Sequence, residues 1–232
     1  MAGSAAAAEI KTRMRLIFLG PPGAGKGTQA SLLLQRYGTV ALASGDILRE
    51  SLRRGDPIGK QAHHYMENGT LVPDEVITEL ILQRLATLGK EQSFVLDGFP
   101  RTEGQARALD QWLEKSGHKP VDRVIDFDIS EDRIIRRLAG RRICGGCGAS
   151  YHTENLPPRR EGFCNRCGGE LRMREDDRPE TIRNRLSVYH KLTEPLLTFF
   201  RGQGKLRVVP GELEIEAQYE ALLQLLKSEQ MV

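Results

Sequence analysis

Short apolar runs and longer amphipathic stretches alternate along most of the chain. The run from Met14 to Leu19 is apolar and stops at a glycine-rich turn, which predicts a buried strand. Four further short runs predict strands, and the stretches between them, bounded by glycine, proline and capping residues, predict helices. The predicted strands are 14–19, 40–43, 93–96, 121–127 and 206–209, and the predicted helices are 28–36, 46–53, 58–67, 73–88, 102–115, 130–139, 179–200 and 214–227.

Strands that alternate with helices favour an α/β fold with a doubly wound, five-stranded parallel sheet. Two segments stand apart from this pattern. Residues 140–177 hold all four cysteines and six glycines beyond Gly140, which predicts a separate small unit. At its end, Asp177 and Glu180 have the spacing of a capping pair for the next helix. Residues 1–13 carry an alanine run without a basic start, so we interpret them as a leader or extension rather than a secretory signal.

Composition and charge exclude several classes of protein. Hydrophobic residues make up 39% and charged residues 28% of the 232 positions, which excludes a wholly disordered chain. No apolar run approaches the ~18 residues of a membrane helix, and a net charge of +3 does not by itself indicate a nucleic-acid-binding protein. We therefore expect no membrane or nucleic-acid partner. The missing secretory signal predicts a cytoplasmic protein, and we also expect a monomer.

Residues 20–28, with the sequence GPPGAGKGT, follow the first strand and open the first helix. Glycines in such a loop let backbone N–H groups turn towards phosphate oxygens, while the helix N-terminus and Lys26 add positive charge. The common phosphate-loop pattern places a hydroxyl directly after the lysine, but here Gly27 precedes Thr28. The alternative is a glycine turn that only links strand to helix. The coincidence of lysine, strand and helix favours nucleotide binding.

An acid ends the third predicted strand. Asp97 opens the run Asp-Gly-Phe-Pro-Arg, and ligands of doubly wound sheets bind at the carboxyl ends of their strands. Such an acid commonly holds Mg²⁺ or its waters in phosphate-loop enzymes. The alternative is a residue that caps the following helix. The phosphate loop upstream favours the functional role.

Arginine replaces lysine throughout the stretch from Arg133 to Arg185, which contains thirteen arginines, seven acids and no lysine. A planar guanidinium grips phosphate oxygens in a bidentate manner and keeps its proton. Several of these arginines are expected on solvated helix faces or in pairs with carboxylates. Others are expected to contact an anionic substrate.

The four cysteines form two tight pairs. Cys144 and Cys147 are separated by two residues, as are Cys164 and Cys167, and sixteen residues lie between the pairs. This spacing is typical of tetrahedral Zn²⁺ sites, and four thiolates leave no coordination position for a catalytic water. A structural Zn²⁺ is therefore predicted. Disulfides, free thiols and iron or another metal remain alternatives.

Taken together, these motifs resemble the adenylate kinase family in its long-lid form with a zinc-binding lid. The resemblance covers the chain from Met14 nearly to its end, and Gly27 belongs to this family's own form of the phosphate loop. Ser44 stands where many members carry threonine. The matching motifs are GPPGAGKGTQA at 20–30, SGD at 44–46, GTLVPDE at 69–75, LDGFPRT at 96–102, GRR at 140–142, DD at 176–177 and RNRLSVYH at 183–190.

The resemblance implies a phosphate-loop NTPase-like core with two mobile inserted units. The core would comprise residues 14–42, 73–139 and 178–232. A monophosphate-binding insert would comprise residues 43–72, and the zinc-bearing lid residues 140–177.

It also implies reversible transfer of a phosphoryl group from Mg-ATP to AMP, giving two ADP, and a role for each of the matching residues. Asp46 and Asp97 would hold waters of Mg²⁺. The catalytic charges would be Lys26, Arg101, Arg137, Arg141, Arg174 and Arg185. ATP would be bound by Gly23, Ala24, Gly25, Lys26, Gly27, Thr28, Arg141, Ser150, Tyr151 and Leu213. AMP would be bound by Ser44, Arg49, Thr70, Leu71, Val72, Gly98, Phe99, Pro100, Arg101, Gln105, Arg174 and Arg185.

Three other functions remain open at this stage. A zinc-ribbon nucleic-acid module fused to an NTPase would need a basic face with interleaved aromatics, and residues 140–177 offer only Tyr151 and Phe163. A regulatory phosphate-loop switch would not need the long arginine-rich insert. Within the kinase class, the base choice is open, and GTP as donor is the main alternative.

Overall fold

The computed structural model describes residues 14–232, and the interpretation of residues 1–13 lies outside this range. Strands and helices alternate through most of it. In chain order the elements are β1 (Arg15–Leu19), α1 (Lys26–Tyr37), β2 (Val40–Ala43), α2 (Ser44–Arg53), α3 (Pro57–Glu67), α4 (Asp74–Ala86), β3 (Phe94–Asp97), α5 (Glu103–Lys115), β4 (Arg123–Asp128), α6 (Glu131–Gly140), β5 (Arg141–Cys144), β6 (Ser150–His152), β7 (Leu171–Arg172), α7 (Pro179–Val188), α8 (Pro195–Gly202), β8 (Leu206–Pro210) and α9 (Ile215–Ser228).

Five strands form the main sheet in the order β2-β3-β1-β4-β8. Every neighbouring pair is parallel, and β1 at the centre pairs with both β3 and β4. The predicted five-stranded parallel sheet is therefore confirmed. Since parallel strands share one direction, the phosphate-loop turn after β1 and the turn that begins at Asp97 lie at the same edge of the sheet.

Alternate residues of β1 enter two different apolar layers. Leu16 and Phe18 pack with residues of α1 and α9 on one face of the sheet. Ile17 and Leu19 pack with residues of α4, α5 and α8 on the other face. Burial on both faces explains why the strand is a continuous apolar run, as expected for a parallel sheet covered by helices.

The predicted helix over 179–200 is wrong as a single element. It is divided into α7 and α8 by a π-helical turn at Tyr189–Thr193, within which the backbone N–H of Glu194 donates to Tyr189 O at 2.9 Å. Pro195 then opens α8, where the missing N–H of proline is tolerated. The Thr193 hydroxyl donates to Arg101 O at 3.1 Å, so the irregular turn packs against the end of the sheet.

The predicted capping pair is also wrong. The residue at the N-cap position of α7 is Arg178, and no side chain caps this helix. The Asp177 carboxylate instead accepts hydrogen bonds from Arg141 and Arg185. Charged donors compete more strongly for a carboxylate than a backbone N–H does, which explains the different partner.

Two segments extend from the core at the same edge of the sheet. Helices α2 and α3 form a helical pair between β2 and α4. Strands β6, β5 and β7 form a small antiparallel sheet, which the sequence analysis did not predict because two of its strands have only two or three residues. Among residues 14–232, no helix has both the length and the apolar character needed to cross a membrane.

Candidate active site

A large cleft of about 830 Å³ lies at the carboxyl ends of the parallel strands. Its walls come from the phosphate loop, the start of α2, the turn after β3, the small antiparallel sheet and α7. This is the place where doubly wound sheets bind their ligands, because the loops that follow the strands converge there. Most of the predicted binding residues line this cleft.

The phosphate loop wraps around the ammonium group of Lys26. Lys26 Nζ donates to Gly20 O and to Pro21 O, each at 2.7 Å. Gly25 has a φ of 96° and precedes the first residue of α1, a conformation that glycine adopts without strain. Burial lowers the pKa of Lys26 to about 8, although Asp97 opposes the shift.

Asp97 lies directly beside Gly27. A Cβ atom at position 27 would lie 3.2 Å from Asp97 Oδ2, so a larger residue there would press on the carboxylate. Burial raises the pKa of Asp97, while Lys26 opposes the shift. Helix α5 is capped by the hydroxyl of Thr102, which accepts from the N–H of Gln105 at 3.2 Å, so Asp97 is not its cap.

Ser44, Gly98 and Arg101 form a second wall of the cleft, beyond Asp97 as seen from the phosphate loop. The Ser44 hydroxyl and Arg101 Nε both donate to Gly98 O at 2.8 Å. Gly98 has a φ of 72°, and a Cβ there would lie 2.7 Å from Ser44 Oγ. Gln105 Oε1 accepts from the N–H of Arg101 at 2.7 Å, and Gln105 Nε2 donates to Asp74 Oδ1 at the same distance.

Two adjacent aspartates organise the arginines of the cleft. Arg174 binds both carboxylate oxygens of Asp176 at 2.9 Å. Arg185 Nη1 donates to Asp176 O at 2.9 Å and to Asp177 Oδ1 at 3.2 Å. Arg141 Nε donates to Asp177 Oδ2 at 2.7 Å. The sequence analysis recognised the aspartate pair as a motif and predicted a helix cap at Asp177, but it assigned the pair no role in the site.

Positive charge nevertheless exceeds negative charge in this part of the cleft. Burial lowers the pKa of Arg174 to about 9, and the Arg141 guanidinium adds to the shift. Burial and then the Arg185 charge lower the pKa of Arg101 to about 10. Burial acts to raise the pKa of Asp176, but the arginines around it, Arg174 first, hold it below its usual range. Clustered guanidinium groups of this kind favour a ligand with several anionic oxygens.

The other predicted residues occupy different positions around the cleft. Thr70, Leu71 and Val72 line its edge, as do Thr28, Ser150 and Pro100. Asp46 is largely exposed and pairs with Arg49 at 2.5 Å. Arg137 Nη2 donates to Leu213 O at 2.6 Å, next to the cleft-lining residues Glu214 and Ile215. The side chains of Ala24 and Phe99 are fully buried in the core, so only their backbone atoms are available to a ligand.

The four cysteine sulfurs converge on one point. All lie within 4.8 Å of one another, with 3.4 Å between the sulfurs of Cys144 and Cys167 and 3.6 Å between those of Cys147 and Cys164. The four cysteines are free, which argues against the disulfide alternative. Spacings of this size suit a tetrahedral metal with bonds of about 2.3 Å to each sulfur. The cluster therefore fits a metal ion.

The hydroxyl of Tyr151 faces this cluster rather than the cleft. It lies 3.4 Å from Cys164 Sγ and accepts from the N–H of Asn165 at 2.8 Å. Its hydrogen bond lowers the pKa of Cys164 to about 6. The sequence analysis assigned Tyr151 only to ATP. The position of a tyrosine between two cysteine pairs does not indicate that its hydroxyl contacts Cys164.

Comparison with known proteins supports the same grouping of motifs. The family model described as adenylate kinase matches residues 18–205. The chain belongs to the adenylate kinase family. It is 48% identical to the adenylate kinase of Caldicellulosiruptor bescii over 202 residues, which cover 87% of this chain and 94% of the relative. It is 46% identical to that of Archaeoglobus fulgidus over 218 residues, covering 93% of this chain and all of the relative.

Family membership argues against the alternative of a nucleic-acid module fused to an NTPase. The adenylate kinase match includes the phosphate loop, the α2–α3 pair and the cysteine-bearing sheet in one continuous range. The cysteine-bearing unit is therefore part of the family's own architecture rather than a nucleic-acid module fused to an NTPase. The resemblance to the adenylate kinase family is confirmed, and so is the class of enzyme. The four clustered cysteines are consistent with a metal-binding lid.

Proposed function

We propose that this enzyme transfers the terminal phosphoryl group of Mg-ATP to AMP, reversibly, and so forms two ADP. The observation that carries the proposal is one continuous cleft that is lined both by the phosphate loop and by the Ser44–Arg101 wall. Partly buried arginines line the same cleft. Two phosphate-bearing ligands, one on the phosphate loop and one on that wall, would meet at these arginines.

The donor is assigned to the phosphate loop. Backbone N–H groups from Gly23 to Thr28 and the ammonium of Lys26 would hold its phosphates, as helix N-termini hold anions elsewhere. Leu213 and the residues after it would contact the base, and Arg137 fixes the Leu213 carbonyl. From the lid, Arg141, Ser150 and the backbone of Tyr151 would close over the donor.

The acceptor is assigned to the second wall. Ser44, Gln105 and the backbone around Gly98 and Phe99 would contact the nucleoside, and residues 70–72 would line its outer edge. The acceptor phosphate would be held by Arg49, Arg101, Arg174 and Arg185. Asp176 and Asp177 keep several of these guanidinium groups in place before substrate enters.

The acceptor phosphate is already an anion, so the reaction requires no strong general base. Catalysis then consists of holding two anions in line and neutralising the charge on the transferred group. Lys26, Arg101, Arg137, Arg141, Arg174 and Arg185 supply that charge. Mg²⁺ bound with ATP would add charge neutralisation at the phosphates. Asp97, buried beside Gly27, and Asp46 at the mouth of the cleft are the carboxylates suited to bind its waters.

Water would compete with AMP for the phosphoryl group, so the site must close before transfer. The proposed monophosphate-binding insert (residues 43–72) and lid (residues 140–177) approach each other across the cleft, with 4.0 Å between Arg49 Nη1 and Asp176 Oδ2. Closure of both units on bound substrates would exclude water. In this proposal the remaining residues form a core that stays fixed.

Zn²⁺ is the metal proposed for the four cysteines. Four thiolate ligands suit Zn²⁺ and leave no position for a reactive water, so the metal would be structural. Four free, clustered cysteines also suit a reducing compartment, which supports a cytoplasmic enzyme. The enzyme is also proposed to be a monomer.

A coupled assay that combines four nucleoside triphosphates with four nucleoside monophosphates tests the reaction. ATP with AMP should give the highest kcat/KM. A higher value for GTP, or for another monophosphate, would overturn the assigned base choice. Triphosphate hydrolysis that does not depend on any monophosphate would favour a phosphate-loop switch instead.

A further inference from the structure

Two buried glutamines lie beneath the phosphate loop. Gln29 belongs to α1 and is fully buried, and Gln218 belongs to α9 and is 2% exposed. Gln29 Nε2 donates to Gln218 Oε1 at 3.0 Å and to Ile215 O at 3.1 Å. The two side chains therefore join the first helix of the core to the last one.

The amide group of Gln218 reaches two further backbone carbonyls. Gln218 Nε2 donates to Ala24 O in the phosphate loop at 3.2 Å and to Pro210 O at the end of β8 at 3.4 Å. Both of its N–H groups and its oxygen thus have partners. A buried amide with this many partners has one well-defined orientation, because any rotation would leave polar atoms unsatisfied.

Gln218 also lies in direct contact with the turn of the phosphate loop. A Cβ atom at Gly25 would lie 2.6 Å from Gln218 Oε1, so the loop backbone rests on this side chain. Gln218 itself borders the cleft, together with Ile215 and Glu216 from the first turn of α9. Pro210 lies three residues before Leu213, the first residue assigned to the donor base.

We infer that Gln218 is a positioning residue for the donor nucleotide, since it ties the phosphate loop at Ala24 to Pro210, from which the chain leads to the proposed base contact at Leu213. ATP must span both places, whereas AMP at the second wall touches neither. This inference rests on the proposed assignment of ATP to the phosphate loop. Its consequence is a defect that is specific for the donor.

The Gln218→Met variant tests this role, because methionine keeps the shape of the side chain and removes every hydrogen bond. Loss of the buried hydrogen bonds should raise the Kd for Mg-ATP and the KM for ATP about tenfold. The KM for AMP should not change. Mg-ATP binding is measured by calorimetry without AMP, and both KM values by the coupled assay.

The matched control is Leu226→Ala, which shortens a fully buried side chain of the same helix two turns beyond Gln218. It should lower Tm and leave the ratio of the two KM values unchanged. If Gln218→Met behaves in the same way, the glutamines serve only to hold α1 against α9, and the inference is wrong. Equal weakening of both substrates would also contradict it.

A second variant, Gln218→Glu, keeps the length of the side chain and the acceptor for Gln29 but turns a carboxylate oxygen towards the two carbonyls. It should show the same donor-specific defect, and it replaces Gln218→Met if that variant does not fold. The calorimetric result does not depend on phosphoryl transfer. If the wild-type protein binds Mg-ATP but forms no ADP from AMP, the proposed function fails while the effect at Gln218 can still be measured.

Discussion

At position 27, the neighbouring carboxylate of Asp97 restricts which residue fits. A larger residue there would approach Asp97 Oδ2, and Asp97 ends the strand next to β1 in the sheet. Glycine leaves room for the carboxylate where other phosphate loops place a hydroxyl. Lys26 lies one residue earlier. The contribution of its charge can be measured by substitution and by varying the pH.

Replacing Lys26 by alanine should remove most of the transfer activity and leave the fold intact. One preorganised charge in a dry site contributes roughly 3 kcal/mol or more, which corresponds to a loss above ~100-fold in kcat/KM. The matched control is Lys227→Ala, an exposed lysine in the last turn of α9, which should retain full activity. The coupled assay and thermal melts provide the measurements. Wild-type turnover in a folded Lys26→Ala variant would refute the role.

The affinity for Mg-ATP should decrease as pH rises through about 8. Burial lowers the pKa of Lys26 to about 8 in the free protein, so the ammonium loses its proton above that pH. Bound phosphates favour the charged form and raise the pKa again, so binding near pH 8.5 should take up a proton. Calorimetry in two buffers with different ionisation enthalpies measures this uptake. Lys26→Arg should abolish it, whereas an equal uptake in that variant would contradict the assignment.

At the scale of elements, the two inserted segments are stabilised in different ways. Helices α2 and α3 pack at very short range, and a Cβ at Gly59 would lie 2.2 Å from the backbone nitrogen of Leu52. The antiparallel sheet instead surrounds the cysteine cluster and buries only a few apolar side chains, Tyr151 among them. The first segment therefore depends on a glycine, and the second is proposed to depend on a metal.

Replacing Gly59 by alanine should force α2 and α3 apart. Overpacking of this kind costs about 1–3 kcal/mol of stability. Because Ser44 and Arg49 both lie on α2, the KM for AMP should rise while the KM for ATP changes little. Gly89→Ala is the control, since a Cβ at Gly89 meets open space. If Gly59→Ala and Gly89→Ala have the same KM for AMP, the close packing of α2 and α3 does not determine the AMP site.

Replacing all four cysteines by serine should destabilise the lid before it affects the chemistry. Metal binding supplies an ordering energy on the order of ~10 kcal/mol in comparable small zinc units. The variant should lose one bound metal per chain and melt at a lower temperature, yet keep the core fold. Activity should persist in part at low temperature, because substrate can still capture a disordered lid at an entropic cost.

Elemental analysis, thermal melts and a cold activity assay measure these three effects. A variant with an unchanged Tm would refute the structural role of the metal. The same conclusion would follow if the native protein, purified without chelator, carried no metal.

At the scale of the whole molecule, the net charge is small although the cleft is strongly positive. The chain carries only +3, yet partly buried arginines gather around Asp176 and Asp177. The Arg185 pair connects α7 with the end of the proposed lid, and Arg49 of the proposed monophosphate-binding insert lies 4.0 Å from Asp176. Both inserts and the core thus meet at the point proposed for phosphoryl transfer.

A bisubstrate mimic, two adenosines joined by five phosphates, should therefore bind as one ligand across the whole cleft. The expected stoichiometry is one mimic per chain, with an affinity well above that of ATP or AMP alone, because one molecule gains both sets of contacts. Calorimetry measures both quantities, and titrations with ATP and with AMP are the controls. Two independent binding events would contradict the single-cleft arrangement.

The core sheet could be predicted from the sequence because its information is local. Strand β1 is a short apolar run, because both of its faces are buried in the parallel sheet. The division between α7 and α8 could not be predicted in this way. The turn at Tyr189–Thr193 packs on Arg101 through a hydrogen bond between residues 92 positions apart.

The sequence by itself determined the phosphate loop, the four-cysteine cluster and the positions of the five strands, because each depends on residues close together in the chain. Only the tertiary structure decided the partners of Asp177, the contact of Tyr151 with Cys164 and the position of Gln218 beneath the phosphate loop. Gln218 and Ala24 are 194 positions apart. The sequence around a glutamine in an amphipathic helix does not indicate such a partner. The amide of Gln218 gains its hydrogen bonds only when the sheet brings the first and last helices together.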